Sequence, residues 1–423
     1  MATICDFPDI DIYLLYFVDI ASITNLACVS TGYHSLLFSL DFVRELYLLK
    51  QYDIEKIIDY ASIHNYLSLI VWVDESVNKF VYTCYAVDNA SNNGHVNILE
   101  WFHKSTYKLK YTDNALYYAS ENNHLKILKW FNNHNYNFNY YRYTINCASR
   151  EGHVRILDWF DKFGNLFVID TWAIGNASKN GHIKVLDWFH NSRHNFLYCR
   201  YAIDKASENG YVNVLQWFRD HDYKIIYTYN AIDKASENGH IDILKWFDKY
   251  GYEFKYTSEA INRAARNGHI NVLEWFKNSK YEFKYSYLSI TWASAMNRIN
   301  VLEWFANSGY KFKYDYSAAD EACLHGNISV LEWFNESIYE FKYTKEAIYN
   351  ASLYGYVSIL EWFDKSKYKF KYNKNAINNA IIGGHINILE WFKNSKYDFI
   401  YDKYVLDKAK PHILEWFISN IKN

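Results

Sequence analysis

The pattern of apolar and polar positions repeats along most of the chain with a period of 29 residues. A tryptophan recurs at this spacing without insertion or deletion, and a last one follows after a shortened step of 25 residues. A fixed period of this length is typical of proteins built from stacked supersecondary units. The tryptophans of this series are Trp72, Trp101, Trp130, Trp159, Trp188, Trp217, Trp246, Trp275, Trp304, Trp333, Trp362, Trp391 and Trp416.

The first half of each unit predicts a helix with defined ends. In residues 257–285, TSEAINRAARNGHINVLEWFKNSKYEFKY, small and apolar residues such as Ala260, Ile261 and Ala264 lie at helical spacing. Gly268 predicts the helix end, because glycine adopts a left-handed conformation without strain. The residue before the helix is usually one that caps an N-terminus with its side-chain oxygen. These predicted caps are Thr83, Thr112, Asp170, Thr228, Thr257, Ser286, Asp315, Thr344 and Asn373.

The second half of the unit predicts a helix that is apolar on nearly all sides. Within residues 270–277 only Asn271, Glu274 and Lys277 interrupt the apolar residues, as a narrow stripe. Such a helix lies buried between its own partner and both neighbouring units. The alternating residues 281–285 then predict a short extended linker. We therefore predict an all-α, helical-repeat solenoid over residues 49–423, with about 12 to 13 units and a truncated last one.

The repeated pattern xAIxxAxxNGHxxxLxWF resembles the second half of the ankyrin repeat, over roughly residues 50–417. Ankyrin units have about 33 residues and carry the motif TPLHxA, whereas the units here are shorter and lack it. The resemblance implies helix-turn-helix units with shortened fingers. In its richness in Asn, Tyr, Ile and Lys the chain is also similar to ankyrin repeat proteins of giant DNA viruses of amoebae, which would place it in a host cell.

Residues 1–48 do not share the 29-residue period. They run from Phe7-Pro8 through an apolar helix to the segment ITNLACVS at residues 23–30. This order resembles an F-box, a three-helix unit that docks on the Skp-type adaptor of a cullin ubiquitin ligase. The alternative is a helical cap that covers the apolar face of the first repeat. The resemblance implies that Pro8, Ile10, Leu14 and Val29 lie near the adaptor-docking surface.

Composition and charge narrow the class of partner. Aromatic residues make up 20% of the chain, which excludes a disordered chain. The formal net charge is −2, which disfavours nucleic acid or an acidic membrane as a partner. Six dispersed cysteines without a CxxC pair indicate reduced thiols and an intracellular protein, in cytoplasm or nucleus. The uncharged stretch 20–40 contains Ser, Thr, Asn and His throughout, so we expect no membrane span.

The sequence predicts no catalytic, metal or cofactor site. Seven histidines share one repeat position, but Tyr211, Asn327 and Arg298 occupy the same position in other units and would not bind a metal in the same way. We instead expect this residue to start the second helix with its ring facing a neighbouring backbone. A row of glutamates, including Glu274 and Glu303, is interpreted as a solvated helix face.

Alternating Tyr, Lys and Phe residues, as in residues 310–314 and 368–372, allow two interpretations. They could stack bases while the lysines hold phosphates. Alternatively, the rings pack between repeats while the lysines point to water, and the near-zero net charge favours this second interpretation.

Two adjacent positions of the first helix, occupied by Asp204 and Lys205 in one unit, vary from unit to unit, whereas the surrounding residues are kept. A constant scaffold with a variable face is how repeat proteins present a long binding surface. Trp292 is the predicted anchor, since tryptophan is enriched at interface hot spots; inward packing of these side chains is the alternative. The predicted partner-binding residues are Trp172, Asp204, Lys205, Arg263, Trp292, Glu321 and Tyr349.

Three hypotheses follow. The first is an adaptor that captures a protein on its repeats and delivers it to a cullin ubiquitin ligase through residues 1–48. The second is a plain binding scaffold or decoy, and the third is a nucleic-acid binder that uses the Tyr and Lys rows. We expect a monomer without membrane contact.

Overall fold

A computed structural model describes residues 54–76, 79–136, 141–162 and 170–421. Every regular element in these ranges is a helix, with 25 α-helices, one 3-10 helix and no strand. The helices form twelve consecutive pairs, and a thirteenth pair has a 3-10 helix in place of its first α-helix. The predicted all-α repeat fold is therefore confirmed.

The helix bounds follow the predicted period, with a tryptophan of the series in the second helix of each pair. The helices are α1 Ile54–Ile63, α2 Leu67–Ser76, α3 Cys84–Asn92, α4 Val96–Lys104, α5 Asp113–Glu121, α6 Leu125–Asn133, α7 Tyr141–Glu151, α8 Val154–Lys162, α9 Thr171–Lys179, α10 Ile183–Asn191, α11 Arg200–Glu208, α12 Val212–Asp220, α13 Asn230–Glu237, α14 Ile241–Lys249, α15 Glu259–Asn267, α16 Ile270–Asn278, α17 Leu288–Ala295, α18 Ile299–Asn307, α19 Ser317–Leu324, α20 Ile328–Glu336, α21 Glu346–Tyr354, α22 Val357–Lys365, α23 Lys374–Gly383, α24 Ile386–Asn394, the 3-10 helix Lys403–Lys408 and α25 Pro411–Asn420.

Backbone contacts divide these helices into two compact units. The described residues up to Ala177, together with Lys184–Leu197, form the first unit, and Ser178–Ile183 together with the residues from Tyr198 onward form the second. Within the second unit the first helices of successive pairs pack against each other, as α13 does against α15. The second helices also contact each other in order, as α14 does with α16.

All nine predicted N-caps are confirmed. Each cap side chain accepts a hydrogen bond from the backbone N–H two residues later; at Thr257, Oγ1 lies 3.1 Å from the Glu259 nitrogen. This bond satisfies a backbone donor at the helix start, and such a cap contributes about 1 kcal/mol.

The recurrent glycine ends the first helix in a left-handed conformation, as predicted. Gly239 has φ +76°. A Cβ atom at this residue would lie 2.7 Å from Nδ1 of His269 in the next pair. The glycine therefore serves two purposes, since it permits the positive φ and leaves room for the neighbouring ring.

Aromatic side chains fill the space between successive pairs. Phe276 is 1% exposed on α16, and Trp246 on α14 is 4% exposed. The linker residue Phe254 stacks on Trp275 and Tyr281, with ring centroids 5.4 Å and 4.0 Å apart. The linkers thus contribute to the core, where each buried aromatic side chain removes about 150–250 Å² from water.

Candidate functional site

The first of the two variable positions of the first helix is buried against the next pair. Asp204 is 8% exposed, and its carboxylate accepts hydrogen bonds from both N and Oγ1 of Thr228, each at 2.8 Å. Tyr349 occupies the same repeat position and is 3% exposed. Both side chains are buried within the chain and are not accessible for binding, which corrects the expectation for Asp204 and Tyr349. The physical reason is that this side of the helix is covered by the following unit.

The side chain at this first variable position forms hydrogen bonds with the N-cap residue 24 positions later in the chain. Asp233 holds Thr257 and Asp320 holds Thr344 in the way that Asp204 holds Thr228. Burial raises the pKa of these aspartates, and the hydrogen bonds from threonine act in the opposite direction.

Where the cap is itself acidic, the matching residue is neutral. Asn378 donates to Asp402 at 2.8 Å, and Asn146 lies 3.4 Å from Asp170. An aspartate facing an aspartate would place two negative charges together at a partly buried site, which costs free energy. This match between residues 24 apart could have been read from the sequence, and it indicates an inter-unit contact at this position.

The second variable position is partly exposed. In the second compact unit its side chains follow each other from one first helix to the next, and we call them the first-helix stripe. The lysines and the arginine of the stripe are about one-third exposed, and all three pair with glutamates on the same face. The first-helix stripe consists of Lys205, Lys234, Arg263, Trp292 and Glu321.

Trp292 lies where the stripe changes from basic to acidic. The guanidinium of Arg263 is 6.0 Å from the Trp292 ring centroid, at the outer limit of a cation–π contact. Arg263 also donates to Glu259 at 2.7 Å, which holds its side chain in place. Glu321 is 41% exposed and 4.0 Å from His325. The structure therefore places the predicted residues Arg263, Trp292 and Glu321 on an accessible face.

A row of apolar side chains begins beside the end of the stripe and continues on the next two first helices. Leu324 lies three residues after Glu321 and is partly exposed. Leu353 and Ile382 occupy the same repeat position in the next two first helices; Leu353 is partly exposed and Ile382 is 47% exposed. Residues three apart are neighbours on a helix surface. The accessible face of α19, α21 and α23 therefore offers apolar contacts that the sequence analysis missed.

In the first compact unit, Trp172 borders a cavity of about 360 Å³. Trp172 is 50% exposed, and Tyr143 at the same repeat position is 60% exposed. Burial raises the pKa of the Cys147 thiol in this cavity to about 11, so it stays protonated at neutral pH. The lining residues are Tyr117, Arg142, Tyr143, Asn146, Cys147, Arg150, Asp170, Trp172 and Asn176.

The shared histidine position has the predicted role at the start of the second helix. Nε2 of His153 lies 2.8 Å from the carbonyl oxygen of Glu121 in the preceding pair. Asn327 occupies the same position and donates to the Ala295 carbonyl at 2.8 Å. A side-chain donor to the preceding helix end is thus what the position requires. In the ranges that the structure describes, no three His, Cys, Asp or Glu side chains form a metal-ligand group.

The Tyr, Lys and Phe rows form inter-unit contacts. Phe312 is 8% exposed, and the Tyr314 hydroxyl donates to the Glu340 carbonyl at 2.8 Å. Lys313 does not simply point to water: its Nζ lies 4.0 Å from the Tyr285 ring centroid and donates to the Tyr285 carbonyl. This lysine covers a ring face that base stacking would need.

The predicted adaptor-docking residues Pro8, Ile10, Leu14 and Val29 lie outside the described residues, and their role stays a prediction. Within the described ranges, no helix combines the length and the apolar character needed to cross a membrane.

No family model and no curated protein matches the chain. Two solved structures of helical repeats are similar to it at low scores. The ankyrin repeat domain of human ASB11 has 13% identity over 41% of this chain and 89% of its own, with a TM-score of 0.34. The pentatricopeptide repeat protein PPR10, solved with an 18-nucleotide RNA element, has 9% identity over 92% of this chain and 63% of its own, with a TM-score of 0.38. With similarities this weak, functional conclusions rest on the chain's own residues.

Proposed function

We propose that the chain is a protein-binding scaffold whose partner contacts the first-helix stripe. The observation that supports it is a constant frame carrying a changing accessible side chain, from lysine through arginine and tryptophan to glutamate. Partly exposed tryptophan and arginine side chains are the residues most often found at interface hot spots. Trp292 would anchor the partner, and Lys205, Arg263 and Glu321 would select it by charge.

Trp172 marks a second accessible place, on the first compact unit. Its exposed ring and that of Tyr143 border an open cavity and would add a contact of the same kind. We include it in the proposal as a separate contact.

We further propose that the scaffold recruits its partner to a cullin-type ubiquitin ligase. The support is the resemblance of residues 1–48 to an F-box, in which Pro8, Ile10, Leu14 and Val29 would meet the Skp-type adaptor. This would place the protein in the cytoplasm or nucleus of a cell. If the resemblance reflects only a helical cap, the chain is a plain binding scaffold or decoy.

The two levels of the proposal can be tested together by affinity purification from cells. Wild-type chain is compared with Leu14→Asp, which disturbs the adaptor-docking surface, and with Trp292→Ser, which removes the proposed anchor. We expect Leu14→Asp to lose adaptor and cullin while keeping the captured partner, and Trp292→Ser to show the reverse. Lys245→Ala serves as control, because Lys245 is an exposed residue of a second helix. Absence of adaptor and cullin from the wild-type sample would contradict the ligase proposal alone.

A further inference from the structure

Several grooves between successive second helices have an ion pair at their edge. Between α22 and α24, Asp364 pairs with Lys396 at 2.7 Å beside a cavity of about 560 Å³ that Trp391 lines. Between α14 and α16, Asp248 pairs with Lys280 at 2.9 Å. In each pair the aspartate and lysine charges compensate each other, and the two polar side chains cover the edge of the groove.

The groove between α18 and α20 lacks this ion pair. At the corresponding positions Ala306 replaces the aspartate and Ile338 replaces the lysine. Ile338 is 95% exposed, the highest value for a large apolar side chain among the described residues. Trp333 in this groove is partly exposed. Its ring stacks with Phe312 and Tyr339, at centroid distances of 5.6 Å and 6.1 Å.

The same groove carries uncompensated negative charge. Glu332 and Glu336 are exposed on α20, and Glu303 is exposed on α18. In the described part of the chain, no Lys, Arg or His lies at ion-pair distance from any of these three carboxylates. One pair further on, Glu361 does have such a partner, Lys365 at 3.7 Å. Exposed apolar area and unpaired acidic groups therefore coincide at one place in the array.

We propose that this acidic–apolar groove, formed by Ala306, Trp333 and Ile338 with Glu303, Glu332 and Glu336, binds a basic segment of a partner protein. The segment has arginines or lysines on either side of an apolar residue. Its apolar residue packs against Ile338 and Trp333, where burial of exposed apolar surface is favourable. Its cations meet the three carboxylates.

Charge complementarity selects this occupant over others. A nucleic acid would meet three like charges, and a neutral apolar segment would leave them without partners. The groove lies on second helices and their linkers, whereas the first-helix stripe lies on first helices. The inference thus goes beyond the proposed function and names a different surface and partner chemistry.

The test is the binding of a fluorescein-labelled peptide of alternating arginine and leucine to the full chain, measured by fluorescence anisotropy. Ile338→Lys introduces the residue that Lys280 and Lys396 supply at this position in the grooves between α14 and α16 and between α22 and α24. We expect it to weaken binding at least about tenfold. We expect Glu332→Gln combined with Glu336→Gln to weaken binding and to reduce its dependence on salt. Circular dichroism confirms that each variant is folded.

Glu390→Gln is the matched control, since Glu390 has the position of Glu332 in the groove between α22 and α24. It should leave the affinity unchanged. Equal affinities of wild type and Ile338→Lys, or an equal loss from Glu390→Gln, would overturn the proposal. So would sedimentation showing that wild type self-associates and Ile338→Lys does not, because a second copy would then be the occupant.

Discussion

Asp233 on α13 accepts two hydrogen bonds from Thr257, one from its backbone N–H at 2.9 Å and one from its hydroxyl at 2.6 Å. The threonine oxygen in turn accepts from the Glu259 N–H and starts α15. One side chain thereby connects the middle of one first helix with the beginning of the next. This relationship joins successive pairs in register and explains why the position is buried.

Replacing Asp233 should separate loss of the contact from loss of its charge. Asp233→Ala removes both acceptors and is expected to cost about 1–3 kcal/mol. Asp233→Asn should cost less than about 1 kcal/mol. The reason is that Asn262 makes the equivalent contact in the next pair: its amide donates to the Ser286 hydroxyl and its amide oxygen accepts from the Ser286 N–H, each at 3.0 Å. Urea unfolding followed by circular dichroism measures both values. Equal losses in the two variants would contradict this role of Asp233.

The pH dependence of wild type and Asp233→Asn reports the raised pKa of Asp233, which follows mainly from burial. A carboxyl group with a raised pKa stabilises the folded state below its unfolded pKa of about 3.9 and loses that contribution as pH rises through the folded value. The wild type should therefore lose stability relative to Asp233→Asn as pH rises from below the unfolded pKa of about 3.9 through the raised folded pKa. Unfolding curves across this range test it, and a constant difference would argue against a raised pKa.

Trp246 and Lys245 are adjacent residues of α14 with opposite environments. Trp246 is 4% exposed, while the Lys245 side chain is 57% exposed. Trp246→Ala should cost about 3–5 kcal/mol through the cavity it leaves, and Lys245→Ala should change stability by less than about 0.5 kcal/mol. Hydrogen exchange should show the loss of protection concentrated around α14. Similar effects of the two substitutions would mean that the helix faces are assigned wrongly.

Gly239 and Gly251 both have positive φ values, of +76° and +68°, but only Gly239 is crowded. Gly251→Ala should cost about 1–2 kcal/mol for the left-handed backbone alone. Gly239→Ala should cost more, because its Cβ would displace the ring of His269, whereas a Cβ at Gly251 meets no atom within 4 Å. Thermal unfolding compares the two variants directly, and we expect the lower melting temperature for Gly239→Ala. Equal melting temperatures would show that the ring moves without cost.

His269 should make the array sensitive to mild acid. Burial lowers its pKa, while its hydrogen bond to the Glu237 carbonyl acts in the opposite direction. Its neutral form therefore stabilises the fold above the unfolded pKa of about 6.5, and this contribution is lost as pH falls through the lower folded value. His269→Asn introduces the residue that Asn327 supplies at the same repeat position. This variant should match wild type near pH 7.5 and lose less stability as pH falls below the unfolded pKa of about 6.5. Parallel pH profiles of the two proteins would exclude this role for His269.

The sequence predicted the elements of the fold well because they depend on local and periodic signals. Nine cap residues, the left-handed glycine and the apolar second helix each act within a few residues of their own position. Sequence was less informative about the accessible face. It treated Asp204 and Lys205 as equivalent variable positions, whereas the structure buries the first and leaves the second partly exposed.

The sequence by itself determined the helix pairs, their 29-residue period, their capped ends and the aromatic core, because the same local pattern recurs in every unit. Only the tertiary structure decided which side of each first helix the next pair covers. Adjacent residues on a helix point about 100° apart, so stacking buries Asp204 against Thr228 and leaves Lys205 accessible. It also decided that the side chain of Ile338 in the acidic–apolar groove is 95% exposed, because no neighbouring element covers it.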